Sequence, residues 1–384
     1  MINRIATTKV IALSKSFKAV AIIGPRQSGK TTLAKSCFPE KTYVSLENPD
    51  IRQFALEDPR NFLKQYEKGA IFDEVQRVPE LLSYLQEVLD RSNGKGQFIL
   101  TGSNNFLLQE KITQSLAGRA VYLDLLPFSI RELQAIPNAL HDLNDLMLKG
   151  GFPPIQADQI APQDWFGAYL RTYVERDVHQ IKNVGNILLF ERMLNLCAGR
   201  VGQLMNYSNL ANEVGVDIKT IQSWIGILQA GYHVFLLPPY FKNFNKRIVK
   251  SPKLYFYDMG LLCYLLRITN KEQLYQHPFR GAIFENFVIT ELLKNRFNRG
   301  ERSNLYFWRD NSGNEIDVLI DEGINIEAIE IKSGTTIHSN WFKNLKFWQK
   351  ISGQERNTLI YAGEESQERQ SNIQVKNWQS LAEI

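Results

Sequence analysis

The stretch Gly24-Pro25-Arg26-Gln27-Ser28-Gly29-Lys30-Thr31-Thr32 limits the possible folds of this chain more than any other. It follows the apolar run Ala19-Val20-Ala21-Ile22-Ile23 and opens the helical pattern Thr31-Thr32-Leu33-Ala34-Lys35. A strand, then G-x-x-x-x-G-K-T, then a helix is the P-loop signature in its required context. Gly24 and Gly29 let the backbone wrap a phosphate chain, because glycine takes such turns without steric cost. The loop N–H groups and the helix N-terminus then face an anion. In that arrangement Lys30 reaches the β- and γ-phosphates and the Thr31 hydroxyl ligates Mg2+. The whole loop, with Pro25, Arg26, Gln27, Ser28 and Thr32 in it, is expected to hold ATP or a similar triphosphate.

A magnesium-bound triphosphate needs a further acidic group at the end of a neighbouring strand. Gly69-Ala70-Ile71-Phe72-Asp73-Glu74 is a short apolar strand ending in two carboxylates. Asp73 is expected to hold Mg2+ through the ion's waters, as hard oxygen ligands do. Glu74 is expected to polarise the attacking water, which makes the reaction hydrolysis. A third strand, Gln97-Phe98-Ile99-Leu100, runs into Thr101-Gly102-Ser103-Asn104. There Ser103 is placed to orient water or sense the γ-phosphate, although Thr-Gly-Ser is also ordinary turn chemistry.

A chain of 384 residues implies two or three domains. At 44% hydrophobic residues it can bury real cores. No apolar run approaches the roughly 18 residues of a membrane span, and the N-terminus lacks a signal-peptide core. The three cysteines Cys37, Cys197 and Cys263 are odd in number and far apart, which argues against a disulfide framework or a zinc site. Each reads as a small buried residue in a reducing cytoplasm. A net charge of only +5 means that any nucleic-acid footprint must be local.

The first part alternates strand and helix, with strands expected near 19–23, 42–46, 69–73, 97–101 and 120–124. That alternation predicts a parallel sheet with helices on both faces. Arg119 just precedes the last of these strands, at the edge of the nucleotide core. A polar connection through Pro137 and Gly150-Gly151-Phe152-Pro153-Pro154 leads to a helical segment containing the charged run Arg171 to Asp177, expected to form a lid on the nucleotide core. Next, Tyr207 to Gly215 reads as a capped short helix, and Asp217 caps a second one through Trp224 and Leu228. Two helices joined by a short glycine-bearing turn predict a helix-turn-helix. Tyr232-His233-Val234-Phe235-Leu236-Leu237 and Lys253-Leu254-Tyr255-Phe256-Tyr257 are the expected strands of a wing. Lys242, Lys246, Arg247, Lys250 and Lys253 form a basic stretch suited to the phosphates of DNA, interleaved with aromatic residues.

The last part carries a second candidate site. Glu285 shares a helix row with Ile289 and Leu292. In Asn314-Glu315-Ile316-Asp317-Val318-Leu319-Ile320 the alternation places Asp317 and Leu319 on one face. In Ile326-Glu327-Ala328-Ile329-Glu330-Ile331-Lys332 it places Glu330 and Lys332 on one side. Such carboxylates on adjoining strands, Asp317 and Glu330 above all, suit Mg2+ or Mn2+, with Lys332 beside an attacking water. Wet strand faces also carry Glu and Lys for solvation alone.

The chain resembles the bacterial and archaeal AAA-type ATPases that join a P-loop core to a C-terminal nuclease-like domain. Gly24 to Thr32 resembles their Walker A block, and Phe72-Asp73-Glu74-Val75-Gln76-Arg77-Val78-Pro79 their Walker B block with its trailing Gln-Arg. Leu100-Thr101-Gly102-Ser103, Leu116-Ala117-Gly118-Arg119, Tyr173-Val174-Glu175-Arg176-Asp177 and Lys246-Arg247-Ile248-Val249-Lys250-Ser251-Pro252-Lys253-Leu254-Tyr255 match further blocks. The resemblance implies that Arg119 meets a neighbouring protomer's γ-phosphate, the alternative being a pairing within its own subunit. It also implies that Glu285, Asp317, Glu330 and Lys332 are similar to the PD-(D/E)XK nuclease core, though a fold is not an activity. The expected architecture is α/β: a P-loop NTPase parallel sheet core over 1–135, a helical lid over 136–186, a winged helix over 187–268, and an α/β restriction-endonuclease-like domain over 269–384. Two functions stay open. One is a cytoplasmic Mg-dependent ATPase acting with DNA, as a possible homo-oligomer, with a metal-dependent nuclease domain. The other is an ATP-driven regulatory switch whose winged-helix and nuclease-like domains are catalytically silent docking modules.

Overall fold

The computed structural model describes residues 2–103, 116–135, 142–173, 186–241, 250–369 and 372–383. The chain divides into two compact units. The first comprises Met1–Phe128, Ala230–Tyr232 and Lys294–Arg302, the second Ser129–Gln229, His233–Leu293 and Ser303–Ile384.

The first unit is built on strands β1 (Ala19–Gly24), β2 (Thr42–Ser45), β3 (Ala70–Asp73), β4 (Phe98–Ser103) and β5 (Ala120–Asp124), which form one sheet in the order β2-β3-β4-β1-β5. Every pairing in it is parallel, as the alternation of strand and helix predicts. The interior strand β1, between β4 and β5, is buried along its whole length, which is why it reads as an unbroken apolar run. Its side chains serve two cores in turn. Ala19, Ala21 and Ile23 join Phe72, Leu85 and Phe98 on one face. Val20 and Ile22 join Ala6, Val10, Leu33 and Ala34 on the other, where the helices Ala6–Ser16 and Lys30–Cys37 pack. Because the strands are parallel, the C-terminal ends of β1, β3 and β4 come to one edge, where open α/β sheets bind ligands.

In the second unit, helix Tyr207–Val214 ends at Gly215 in the left-handed conformation, with φ of 87°. Asp217 then accepts the Thr220 N–H at 2.9 Å and starts helix Ile218–Ala230. Strands β6 (Val234–Leu237) and β7 (Lys253–Phe256) pair antiparallel. Lys242, Lys246 and Arg247, together with positions 174–177 of the charged run, lie outside the described residues.

The C-terminal sheet has six strands: β8 (Leu305–Arg309), β9 (Glu315–Asp321), β10 (Ile326–Lys332), β11 (Asn357–Tyr361), β12 (Gln367–Arg369) and β13 (Ile373–Asn377). Their order is β12-β13-β11-β10-β9-β8. From β8 to β10 the pairing is antiparallel, and from β10 through β11 to β13 it is parallel. Helix Lys343–Ser352 makes the crossover from β10 to β11 and lays Leu345 and Trp348 on Trp308, Leu319 and Leu359. Helix Arg280–Asn298 is fastened to β7 by Asn286, whose Nδ2 donates to the Phe256 carbonyl at 2.7 Å while its Oδ1 accepts the Phe256 N–H at 2.8 Å.

Two of the three cysteines are buried as expected. Burial pushes the Cys197 thiol up to about 12, and Cys263 is likewise shifted upward. Cys37 differs: it sits at the last position of its helix and is only half-buried. Among the described residues, no helix is long and apolar enough to cross a membrane.

Candidate functional site

The loop after β1 is shaped by two glycines. Gly24 has φ of 155°, and a Cβ on it would meet the Leu125 carbonyl oxygen at 2.2 Å, so a side chain is sterically barred. Gly29, with φ of 91°, precedes the first turn of helix Lys30–Cys37 in the left-handed region. Lys30 folds back over the loop. Its Nζ donates to the Pro25 carbonyl at 2.6 Å and to the Gly24 carbonyl at 3.2 Å. Burial pushes the ammonium down to about 8, while Glu74 and Asp73 pull the other way. A charge on short internal contacts inside a half-formed anion cradle is one that a phosphate can recruit.

Arg4, which the sequence did not flag, braces this loop. Its Nη1 donates to the Ser28 carbonyl at 2.7 Å and its Nη2 to the Leu126 carbonyl at 2.6 Å, with the guanidinium 4.8 Å from the Phe128 ring centre. It thereby ties the phosphate loop to the chain leaving β5. Arg4→Ala is expected to raise the KM for ATP by roughly tenfold, because two charge-assisted bonds to carbonyls disappear. Steady-state kinetics across an ATP series reads this directly, and an unchanged KM would rule out the bracing role.

Under the loop, the Thr31 hydroxyl lies 3.0 Å and 3.1 Å from the two Asp73 oxygens. Tyr43 donates to Asp73 at 2.7 Å, and Thr101 donates to its other oxygen. Burial, and then the hydrogen bond to Asp73, push the Tyr43 phenol up to about 12, so it stays a donor. The Lys35 ammonium sits 3.4 Å from the centre of the Tyr43 ring and holds it in place. Three hydroxyls thus fix one carboxylate. Two hard oxygen donors, Thr31 and Asp73, meet beneath the phosphate loop, and this donor chemistry fits Mg2+.

Glu74 follows Asp73 in the left-handed conformation, with φ of 58°. Its carboxylate accepts from the Gln76 amide, and the same Gln76 Nε2 donates to the Ser103 hydroxyl at 2.8 Å. Asp73 and Glu74, expected at the end of one strand, and Ser103, expected at the end of another, therefore stand together at one sheet edge. Gln76 links two of them, a role that its place in the Gln-Arg pair did not disclose. Arg119 lies elsewhere in the first unit and is engaged within its own chain: Nη2 donates to Asp90 at 3.0 Å, Nε donates to the same carboxylate, and Nη1 to the Ala117 carbonyl at 3.0 Å. Any role at a neighbour's nucleotide requires that pairing to break.

The C-terminal set also gathers. Lys332 Nζ lies 2.6 Å from Glu330 and 3.9 Å from Asp317. Asn344 reaches Glu330 at 3.3 Å, and the Ile331 N–H donates to Asp317 at 2.7 Å. Burial, then the neighbouring Asp317, push the Glu330 carboxyl up to about 8. Glu285 joins the cluster from its helix and accepts from both Lys253 and Tyr255.

Lys253 overturns one expectation. It does not face solvent as part of a DNA-binding wing. Its side chain is 4% exposed and ion-paired with Glu285 at 3.1 Å and with Glu315, so a duplex phosphate cannot reach it. Burial opposes the Lys253 charge, but Glu285, Glu315 and Asp317 outweigh it and raise the pKa. Lys250, by contrast, is exposed. Sequence reasoning passed over Glu315, Tyr255 and Asn344 at this cluster. Glu315 was legible, since it stands two residues before Asp317 on the same strand and so on the same face. Among the described residues, no three His, Cys, Asp or Glu side chains form a ready metal cage.

Residues 16–134 match the family model of the AAA domain. Residues 140–272 and 280–381 match two domains of unknown function, DUF8612 and DUF4143. The chain is 31% identical over 325 residues to the uncharacterized protein Rv2008c of Mycobacterium tuberculosis, covering 83% of this chain and 70% of that one. It is 27% identical over 346 residues to the uncharacterized protein MJ1544 of Methanocaldococcus jannaschii, covering 82% and 74%. Among solved structures, a Walker-type ATPase of Pyrococcus abyssi overlaps 69% of this chain and 96% of its own, with a TM-score of 0.46 and 14% identity.

Proposed function

Because this chain belongs to the family of the mycobacterial protein Rv2008c and carries an AAA domain, we propose that it binds ATP with Mg2+ and hydrolyses it. The contact of the Thr31 hydroxyl with Asp73 beneath the phosphate loop, with Glu74 next in the chain, carries this reading. Thr31 and Asp73 would hold Mg2+, which supplies charge neutralisation to the β- and γ-phosphates. Lys30 leaves the Gly24 and Pro25 carbonyls for the phosphate chain. Glu74 accepts from the attacking water and orients it in line. Ser103, through Gln76, ties the end of β4 to the orientation of Glu74.

The finer reading concerns the second unit. We infer that helices Tyr207–Val214 and Ile218–Ala230 with strands β6 and β7 form a winged helix that meets DNA, with Lys219 and Lys250 among its exposed cations. The C-terminal strands are read as PD-(D/E)XK-like, with Asp317 and Glu330 as the acidic pair and Lys332 beside them. The arrangement of β8 to β11 about the crossover helix Lys343–Ser352 supports this. As built, the acids of this cluster are paired with the Lys253 and Lys332 ammonium groups.

The experiment is to incubate the full chain with plasmid and millimolar Mn2+, with and without ATP, while measuring phosphate release. ATP turnover dependent on Mg2+ is expected. Metal-dependent nicking is expected to fall at least a hundredfold in Asp317→Ala, while filter retention of DNA persists, since losing a carboxylate removes repulsion of phosphate. A chain that hydrolyses ATP but never nicks DNA or RNA favours the docking-module reading of its second unit.

A further inference from the structure

We propose that Lys253 is a built-in counter-ion that fills the cation position of the carboxylate cluster, so that a divalent metal binds there only by displacing this ammonium. This rests on the nuclease-like reading above and adds how that site is controlled. Four carboxyl groups, Glu285, Glu315, Asp317 and Glu330, face two ammonium groups, Lys253 and Lys332, and the Arg309 guanidinium, which lies 3.3 Å from Glu315. Lys332 is local, two residues from Glu330 on the same strand. Lys253 comes from a different sheet, 32 residues before Glu285, and reaches two acids that Lys332 does not pair with.

A lysine this deeply buried is kept only where its charge is paired. Lys253 has its pairing because β7 is fastened to helix Arg280–Asn298 through Asn286 and Phe256. Its neighbour on the same face, Tyr255, donates to the same Glu285 oxygen, so that oxygen is occupied twice. One buried acceptor is left over: Glu330 is 2% exposed, and its Oε2 has no hydrogen-bond partner among the described residues. A buried carboxylate oxygen with no donor costs free energy unless a cation or proton reaches it. Glu330 Oε2 is thus open to a further positive charge, while Glu285 and Glu315 are already held by the tethered Lys253 ammonium. A metal ion and the Lys253 ammonium repel each other at these distances and compete for Glu285 and Glu315.

The test is Mn2+ binding to the nucleotide-free full chain, followed by calorimetry and electron paramagnetic resonance. Wild type, Lys253→Met and Lys253→Gln are each compared with and without Asp317→Asn, so that Mn2+ bound at Thr31 and Asp73 cancels. The expected result is an Asp317-dependent site at least tenfold tighter in Lys253→Met than in wild type. Equal Asp317-dependent affinity in the two would overturn the counter-ion role while leaving the metal-site reading standing. Absence of Asp317-dependent Mn2+ in both folded Lys253 variants would remove the proposal and the metal-site reading together. Where neither variant folds, acylation of Lys253 in wild type, read by mass spectrometry, decides. Labelling is expected to rise as Mn2+ saturates, and constant labelling overturns the proposal.

Discussion

Lys30→Ala is expected to abolish nucleotide hydrolysis and to remove most triphosphate affinity. Lys30 is 5% exposed, and among the described residues its ammonium is hydrogen-bonded to two loop carbonyls, so it can transfer to phosphate oxygens without first shedding bulk water. Losing one preorganised positive group aimed at developing charge costs roughly 10^2–10^3 in turnover. The same lysine makes affinity depend on pH. Its amine is pushed down to about 8 by burial, and phosphate binds the protonated form better. Affinity should therefore fall as pH rises through 8, by at most about tenfold per pH unit. Titration with a fluorescent ATP analogue at pH 7 and pH 9 reads this out. Lys30→Ala should bind weakly at both values with no slope attributable to this group, and a slope retained in the variant would assign the titration elsewhere.

Glu74→Gln should bind ATP with nearly unchanged affinity yet lose turnover by roughly 10^2–10^3, since the amide is a far weaker proton acceptor for the attacking water. Thr31 bonds to Asp73 while Glu74 is held by Gln76, which is why binding and chemistry should separate. Gln76→Ala makes the companion experiment. It releases the Glu74 carboxylate from its amide partner and cuts the link to Ser103, so kcat should fall with KM little changed. Single-turnover phosphate release beside equilibrium binding distinguishes the two steps. Hydrolysis by Glu74→Gln at the parental rate would show that another group handles the water.

The nucleotide half of the molecule was largely legible because its signals are local. The apolar run 19–23, the glycine spacing and the acidic end of 70–73 each lie within a few residues, and the strands formed there. What stayed hidden depends on contacts between distant segments. Arg4 meets the Leu126 carbonyl across 122 positions, and no periodicity encodes that. Lys253 shows the reason most clearly. Strand alternation states that Lys253 and Tyr255 share a face, but not what packs against it. In a stretch of lysines, solvent or DNA is the natural partner. The structure instead presses a helix carrying Glu285 and a strand carrying Glu315 onto that face, and the charge turns inward.

The pair β6 and β7 is a ribbon of only two strands, and such a ribbon normally presents an outer row of unpaired backbone groups to any passing chain. Here that row is closed. Leu254 exchanges hydrogen bonds with the stretch before helix Tyr207–Val214, accepting from Gly202 at 2.8 Å and donating to the Gln203 carbonyl at 3.1 Å. At the next outward-facing residue, Phe256, the Asn286 side chain takes the place of a neighbouring strand and satisfies both groups at once. No backbone template remains along β7 for a foreign segment to extend. Recruitment of a peptide or of a second copy by strand addition is therefore barred on this side. The same closure guards a short, aromatic, β-prone sequence against stacking into aggregates.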